Sequence, residues 1–364
     1  MRAWPPLIAL ALCLAGSSAR AVEGGGIADD FATNAQAKTR DNPRNGSVSD
    51  TLSGVLEVTE SLALNLAVAG TYSLPTRAVA DTAFGTRGGA VWTIAPGLDW
   101  DMTEHFSLSL SLSISPRSTL LADSTVAITR PGGAATDVDV LLSSRTTSQA
   151  FNLLAAYDTA GDSRAETSVA LSVGGLFFET TQSVIAARLP DGSVISAADL
   201  AAQCPACSRQ FTAAARRAGG PDAFLGQFSL AASVVETLFH DTDLGLGFTY
   251  YLYTRDPTEV GYFSLTTVGQ TGVSFGSGVP LAPVQWSLRP EVAQRFGRFS
   301  IRLTYLHQQY VDGEGQGNSL VLKLQFKFNT SWKAYVIAGL ARDRDIEGNN
   351  SDSLTLGAGL HANF

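Results

Sequence analysis

A run of strict alternation decides the fold: Phe106-Ser107-Leu108-Ser109-Leu110-Ser111-Leu112-Ser113-Ile114-Ser115. Every even position is large and apolar, and every odd position is serine. Successive residues of a β-strand point to opposite faces of a sheet, so this segment would have one apolar face and one hydroxylated face. The run therefore predicts a β-strand with a different environment on each side.

The same two-residue period recurs along the chain, for example at 62–68, 320–328 and 354–364. It predicts fourteen strands, at about 30–40, 47–58, 61–74, 89–101, 105–116, 147–158, 165–178, 224–237, 243–255, 283–293, 298–311, 317–328, 331–343 and 352–364. Strands of soluble proteins usually have about 5 to 6 residues, whereas a tilted strand that crosses a bilayer needs about 9 to 11. Most of the predicted strands reach or exceed the second length, which favours a membrane.

The connections between these strands alternate between tight turns and long polar segments. Thr59-Glu60 and Asn329-Thr330 are two of the turns, whereas 117–146 and 179–223 are the longest segments of the other set. Short periplasmic turns opposite long extracellular loops are typical of a transmembrane antiparallel up-and-down β-barrel, which is the all-β fold we predict. Such barrels have an even number of strands. Because the alternation at 30–40 is weak, twelve strands is the alternative to fourteen.

Aromatic residues provide an independent test of this topology. The apolar face carries them near both ends of the strands: Trp100, Phe106, Tyr157, Phe328, Trp332 and Phe364 on the periplasmic side, and Tyr72, Trp92 and Trp286 on the outer side. Two such interfacial girdles are expected of a membrane barrel. A soluble β-sandwich also has alternating strands, but its strands would be shorter and its turns of similar length at both ends.

The composition excludes several other classes. With 45% hydrophobic residues and a formal net charge of −8, the chain is too apolar for a disordered protein and too acidic for a nucleic-acid binder. Beyond the first twenty residues it has no apolar run of 18 or more, so a membrane protein built from helices is not expected. The charged fraction of only 16% agrees with strands that face lipid on one side.

The N-terminus has the order of a secretory signal. Met1-Arg2 is followed by an apolar stretch at 5–16 and by small residues that end at Ala21. This stretch is too short to span a membrane as a helix. We predict a signal peptide at 1–21, a short periplasmic segment at 22–29 and a barrel at 30–364, with its longest extracellular loop at 179–223.

The chain resembles bacterial outer-membrane β-barrel proteins in this signal and in its closing segment, Leu354-x-Leu356-x-Ala358-x-Leu360-x-Ala362-x-Phe364. A terminal phenylalanine after alternating apolar residues looks like the signal that the outer-membrane assembly machinery recognises. The resemblance covers nearly the whole mature chain and identifies no subfamily. It implies a multi-pass barrel in the outer membrane of a Gram-negative bacterium. Its partners would be the assembly machinery, through Phe364, and outer-membrane lipid and lipopolysaccharide.

Charged residues on the polar face of the strands are the candidate functional residues, because that face would line the lumen. The acidic ones are Glu57, Asp99, Asp101, Glu166 and Glu291, and the basic ones are Arg289, Arg302, Lys323, Lys327 and Lys333. The basic residues fall on the tenth to thirteenth predicted strands, and the acidic ones, apart from Glu291, on the second, fourth and seventh. Opposed walls of this kind would set up a transverse field that sorts solutes by charge. Alternatively, they are solvated residues paired across strands, since any wet lumen is polar.

The predicted loop at 179–223 contains Cys204-Pro205-Ala206-Cys207. These two cysteines are the only ones left after removal of the signal, and in an oxidising compartment they can form a local disulfide. A zinc site would need two further ligands, and a redox role would need a thioredoxin-like setting. We therefore expect a disulfide between Cys204 and Cys207, no metal and no cofactor.

The strands contain no recognisable catalytic motif. Outer-membrane phospholipases place a histidine and a serine two residues apart on a lipid-facing strand, whereas His307 is followed by Gln308 and Gln309. Since the nucleophile is missing, we expect no catalytic residues and no enzymatic activity. The polar inner face predicts a porin-like channel for the passive or selective passage of small solutes. The alternatives are a non-conducting barrel whose extracellular loops bind a ligand or partner, and an uptake channel for hydrophobic compounds.

Overall fold

The computed structural model describes residues 25–36, 45–74, 90–129, 135–159, 165–188, 192–203, 223–239, 241–257, 284–311, 315–344 and 350–363. The strands within these segments are β1 (Gly25–Gln36), β2 (Asn45–Thr59), β3 (Leu62–Leu74), β4 (Ala90–Asp101), β5 (Phe106–Thr129), β6 (Ala135–Asp158), β7 (Ala165–Arg188), β8 (Val194–Ser196), β9 (Ala223–Leu238), β10 (Thr242–Tyr253), β11 (Val284–Phe296), β12 (Phe299–Tyr310), β13 (Gln316–Lys327), β14 (Trp332–Arg344) and β15 (Asn350–Asn363). One short helix, α1 (Ala197–Gln203), accompanies them. No helix among the described residues is long and apolar enough to span a membrane.

The strands form one closed antiparallel sheet. From β1 to β7 each strand pairs with the next, β7 pairs with β9, and the order continues to β15, which pairs with β1. The short β8 is not part of this ring and pairs with the outer end of β7. The predicted barrel of fourteen strands is confirmed, and the alternative of twelve is wrong.

The weakly alternating segment predicted at 30–40 forms β1, the strand that closes the ring. β1 pairs with β15 on one side and with β2 on the other. It begins at Gly25, so the predicted start at residue 30 is too late. The first residues of β1 are rich in glycine and aspartate, which are depleted in strands and therefore conceal its beginning.

Alternate residues of the strands face the outside of the barrel and its lumen. On the outside, Leu171 and Leu340 expose 60% and 59% of their surface, whereas the inward Tyr335 and Ile337 expose 4% and 3%. Leucine, valine and phenylalanine dominate the exposed large side chains. A closed barrel with such an apolar exterior suits contact with lipid, because a closed sheet has no unpaired edge strand.

Aromatic side chains mark both edges of this apolar exterior. Trp100, Tyr157 and Trp332 are exposed beside the tight turns, and Tyr72 and Trp92 are exposed near the opposite ends of the strands. Tryptophan and tyrosine are enriched at the two interfaces between membrane and water. We assign the tight turns to the periplasmic side, because transmembrane β-barrels have their short turns there.

Three strands are much longer than a bilayer requires. β5, β6 and β7 have 24 residues each. The prediction of a loop at 117–146 is wrong, because β5 and β6 continue through most of it as a paired hairpin. Pro116 interrupts the alternation, and a register shift between Ser115 and Ser118 accommodates it. The segment 179–223 likewise begins with the outer end of β7, followed by β8 and α1.

The periplasmic turns are short and locally hydrogen-bonded. Asn329 Oδ1 accepts hydrogen bonds from the backbone N–H groups of Ser331 at 2.9 Å and Trp332 at 2.8 Å. Gly297, with φ of 59°, adopts the left-handed conformation that connects β11 to β12 through two residues. Such turns fix the register of neighbouring strands, and the register determines which side chains meet in the lumen.

Candidate functional site

The inner wall of the barrel is the candidate functional site, because it is the polar face of the strands. The predicted basic residues lie on β11 to β14, and we call this part of the wall the basic arc. In the ring of fourteen strands, β4 and β12 are seven positions apart and therefore opposite each other. Asp99 and Asp101 on β4 thus lie on the wall that faces Arg302 on β12.

Lys323 lies in the basic arc beside an aromatic ring. Its Nζ is 4.3 Å from the centroid of the Tyr335 ring, an arrangement that the negative face of the ring stabilises. The Tyr335 hydroxyl donates a hydrogen bond of 3.0 Å to Asp30 Oδ1. Tyr335 therefore links a cation on β13 to a carboxylate on β1.

The network continues across the seam where the barrel closes. His361 Nδ1 on β15 lies 3.8 Å from Asp30 Oδ2, and His361 Nε2 lies 2.8 Å from Asn363 Oδ1. In the register of the strands, His361 stands between Asp30 and Lys333. The network therefore joins four neighbouring strands on the lumen side, through Lys323 on β13, Tyr335 on β14, His361 on β15 and Asp30 on β1.

Glu291 is the one predicted acidic residue within the basic arc. Arg302 Nη1 lies 3.3 Å from Glu291 Oε1, and the Thr304 hydroxyl donates a hydrogen bond of 3.1 Å to Glu291 Oε2. Arg302 is also directly opposite Lys323 on β13. Of the ten predicted lumen residues, the arc therefore contains five cations and one carboxylate.

Four of the five predicted basic residues occupy neighbouring positions. Arg302 is opposite Lys323, and Lys327 is opposite Lys333. Arg289 lies apart from these pairs, on β11 opposite a glycine of β10. The register shows which of these residues are adjacent, and their role in lining the lumen stays a prediction.

The predicted acidic residues other than Glu291 are spread over β2, β4 and β7, and of these strands only β4 lies directly opposite the basic arc. The Asn65 side chain donates a hydrogen bond of 2.6 Å from Nδ2 to Asp99 Oδ2. Asp101, Glu57 and Glu166 are exposed at the periplasmic ends of β4, β2 and β7. The acidic residues therefore line the periplasmic part of the wall and do not form a single cluster.

Small hydroxylated residues build much of the wall between these charges. The serines of 106–115 lie on the inward face of β5. The hydroxyl of the last of them, Ser115, lies 2.7 Å from the Thr93 hydroxyl on β4. Gly97 stands opposite Ser111 in the same sheet. Short side chains and hydroxyl groups narrow a lumen little and offer hydrogen bonds to water or polar solutes.

The sequence prediction omits two residues of the network, Asp30 and Tyr335. Tyr335 follows Lys333 by two positions on β14, so the alternation alone assigns it to the inner face. Asp30 is the first residue of the strand predicted at 30–40, whose alternation is weak. Their contact joins residues 305 positions apart in the chain, which no local pattern reveals.

A glycine opposite Tyr335 provides a test of this packing. A Cβ atom on Gly359 would overlap the Tyr335 ring. We expect Gly359→Ala to displace the ring and to lower the free energy of unfolding by about 1–3 kcal/mol, measured by urea unfolding of the folded barrel in lipid. Gly339→Ala is the matched control, since its Cβ would meet Val321 and Thr355 at ordinary contact distances. Equal destabilisation by both substitutions would contradict the role of Gly359.

Some predicted features lie outside the described residues. These are Cys204 and Cys207, Phe364 and the signal peptide at 1–21. The loop disulfide, the assembly signal and the signal peptide therefore stay predictions. Within the segments that the structure describes, no three His, Cys, Asp or Glu side chains are grouped so as to hold a metal ion.

The chain matches no protein-family model and no curated protein sequence. Its fold is nevertheless similar to solved barrels. The CymD monoaromatic hydrocarbon channel superposes with a TM-score of 0.55 at 10% identity, over 94% of this chain and 89% of that chain. The toluene transporter TodX of Pseudomonas putida superposes with a TM-score of 0.51 at 10% identity, over 94% of this chain and 90% of that chain.

These likenesses establish the fold of the chain. It is the fold of bacterial outer-membrane barrel channels, as the resemblance of the sequence implied. The apolar exterior between two aromatic girdles agrees with an outer-membrane location. The chain therefore folds as an outer-membrane barrel.

Proposed function

We propose that this barrel is a channel for small hydrophilic solutes. The observation that carries the proposal is the inner wall, which combines hydroxyl groups on β5 with the basic arc and with carboxylates on the facing β4. A soluble solute that crosses the barrel would exchange hydrogen bonds with water for hydrogen bonds with this wall. The barrel exterior has the opposite character, so the polar residues are concentrated where a solute would pass.

The charge distribution suggests how such a channel would select solutes. Two unit charges 4 Å apart interact by about 1 kcal/mol in water, and more strongly where the wall excludes water. An anion would be attracted to the basic arc and a cation to Asp99 and Asp101. A polar molecule with both charges would be oriented across the lumen. The proposal therefore includes weak selectivity by charge and dipole, with no tight binding site.

Conductance across a planar lipid bilayer tests the proposal. We expect the refolded protein to produce single-channel steps in potassium chloride, because ions share the polar path. Heat-modifiable migration in gel electrophoresis verifies that the same preparation is folded. Folded protein that never conducts would overturn the channel proposal.

A second candidate function is the uptake of hydrophobic compounds. It is favoured by the fold, since the two similar structures are named as a monoaromatic hydrocarbon channel and as a toluene transporter. The charged residues of the inner wall favour passage of hydrophilic solutes over passage of hydrophobic compounds. Uptake of toluene and of a sugar of similar size into liposomes, with and without the protein, separates the two functions. Our proposal expects entry of the sugar to depend on the protein.

A third candidate is a barrel whose outer part binds a partner. The specific observation is the paired outer extension of β5, β6 and β7, to which β8 adds a further strand. Removal of residues 120–142 would shorten the β5–β6 hairpin while leaving the membrane part of both strands. The channel proposal expects conductance to survive this deletion.

We also propose that the barrel has no enzymatic activity. His307 faces outward on β12, and its side chain lies 2.9 Å from Asn318 Oδ1 and packs against the Trp286 ring. Neither neighbour can act as a nucleophile in the manner of a serine or cysteine. Hydrolysis of phospholipid vesicles that was lost in a His307→Ala variant would contradict this part of the proposal.

Two partners follow from the location. We propose that the assembly machinery recognises the C-terminal strand through Phe364 and that lipopolysaccharide contacts the outer part of the barrel exterior. β15 supports the first, because its outward positions from Leu354 to Ala362 are all apolar. Replacement of Phe364 by serine should reduce the folded protein in the outer membrane while leaving its synthesis unchanged.

A further inference from the structure

The outward face of β12 to β15 changes character at its extracellular end. The register places outward residues of these four strands in successive rows that run across the sheet. The row that ends the apolar surface consists of Tyr305, Leu320, Leu340 and Leu354. Leu340 and Leu320 are exposed, so this row belongs to the lipid-facing surface.

The next row outward is polar at every position. It consists of His307, Asn318, Arg342 and Asp352. Arg342 forms two hydrogen bonds with Asp352, from Nε to Oδ1 at 2.7 Å and from Nη2 to Oδ2 at 3.1 Å. The two side chains remain 71% and 60% exposed, so this ion pair stands on the surface.

The row beyond it contains a second arginine. It consists of Gln309, Gln316, Arg344 and Asn350. Arg344 is exposed, and no carboxylate in the described part of the chain forms an ion pair with it. The two arginines therefore lie on one strand, two residues apart on the same face, directly outside the edge of the apolar surface.

We propose that Arg342 and Arg344 bind the phosphate groups of the phosphorylated glycolipid in the outer leaflet. A guanidinium group presents two parallel N–H donors that match a phosphate, and it keeps its charge at any physiological pH. Two residues of strand, or roughly 7 Å, separate Leu340 from Arg342. A lipid whose acyl chains contact Leu340 would therefore have its headgroup beside the two arginines.

Neighbouring side chains fit the sugar part of such a lipid. Asn318 and Gln316 offer amide groups, and Trp286 packs against His307 with ring centroids 5.2 Å apart. Tryptophan is enriched at the edge between acyl chains and headgroups, and amide groups can both donate and accept hydrogen bonds. The inference rests on the proposed contact with lipopolysaccharide and uses the outward surface alone, so it does not depend on whether the lumen conducts.

Asp352 gives the proposal an unusual test, because it competes with phosphate for Arg342. Removal of its charge frees Arg342, so Asp352→Asn should tighten binding of the phosphorylated lipid. Arg344→Gln removes the exposed cation of the outer row and should weaken binding. One basic residue near an anionic lipid surface contributes enough binding free energy for about a fivefold change in affinity. We therefore expect changes of this size, in opposite directions, from the two substitutions.

Binding is measured by native mass spectrometry of the folded barrel in detergent, titrated with lipid A, with dephosphorylated lipid A and with inorganic phosphate. Arg298→Gln is the matched control, since Arg298 lies in the periplasmic β11–β12 turn. We expect lipid A to bind more tightly than its dephosphorylated form. We also expect opposite changes in Arg344→Gln and Asp352→Asn, and no change in Arg298→Gln.

Three results would overturn the proposal. Equal binding of lipid A and its dephosphorylated form would exclude recognition of phosphate. Equal loss in Arg344→Gln and Arg298→Gln would show a general effect of charge. Competition by inorganic phosphate at the same affinity as lipid A would show a site for a free anion. Heat-modifiable migration of each variant verifies that it is folded before binding is measured.

Discussion

Replacement of Leu112 by arginine is expected to lower the free energy of unfolding by about 2–4 kcal/mol. Leu112 is exposed on the outside of β5, near the middle of its membrane-spanning part. An arginine there would lose its hydration to the hydrocarbon interior, and its side chain is too short to reach either interface without distortion. Reversible unfolding in urea, followed by tryptophan fluorescence in lipid vesicles, measures the change.

Two controls separate the lipid from a general effect of arginine. Leu62→Arg introduces the same side chain on the outer face beside Trp100, at the periplasmic edge, where the cost should fall to about 0–1 kcal/mol. Ser111→Arg places it next to Leu112 on the inner face, where water can solvate it. Equal destabilisation at Leu112 and Leu62 would mean that the apolar face contacts protein and not a bilayer.

The membrane part of the fold is predictable because the bilayer imposes a pattern on the sequence. In β13, for example, Leu320, Leu322 and Leu324 must face lipid while Lys323 faces the lumen, and this contrast marks the strand. Outside the bilayer both faces of a strand meet water. Thr180-Thr181-Gln182-Ser183, in the outer part of β7, is polar at every position and therefore carries no alternation. That is why the extension of β7 is predicted as a loop.

The candidate site was predictable to the level of faces but not of contacts. Alternation assigns Lys323 and Lys333 to the inner wall from their own strands. The contact between Tyr335 and Asp30 depends on how β1 is aligned with β14 through β15, and this register is set by turns and pairing along the whole ring. Local sequence contains no information on that alignment, so Asp30 was missed as a partner of Tyr335.

Neutralisation of the basic arc is expected to shift the channel toward cations. Arg302→Gln and Lys333→Gln together remove two lumen charges and leave the Glu291 carboxylate without its arginine partner. A charge within about 4 Å of a passing ion contributes about 1 kcal/mol in water, so each removal should change the permeability ratio of potassium to chloride by up to about fivefold. The reversal potential across a planar bilayer in a potassium chloride gradient measures this ratio.

A substitution on the facing wall should act in the opposite direction. Asp99→Asn removes one negative charge from β4 and keeps a side chain that can bond to Asn65, so it should shift the reversal potential toward anions. A lumen with a transverse field should show opposite shifts of the reversal potential for the variants of the two walls. In a lumen that is only polar, both variants would behave as the wild type. High salt should reduce both shifts, because the Debye length falls from about 10 Å at 0.1 M to about 3 Å at 1 M. If the variants of neither wall alter the selectivity of a conducting barrel at low salt, ions do not pass within reach of these residues. The charged residues of the basic arc and of β4 then have a structural role.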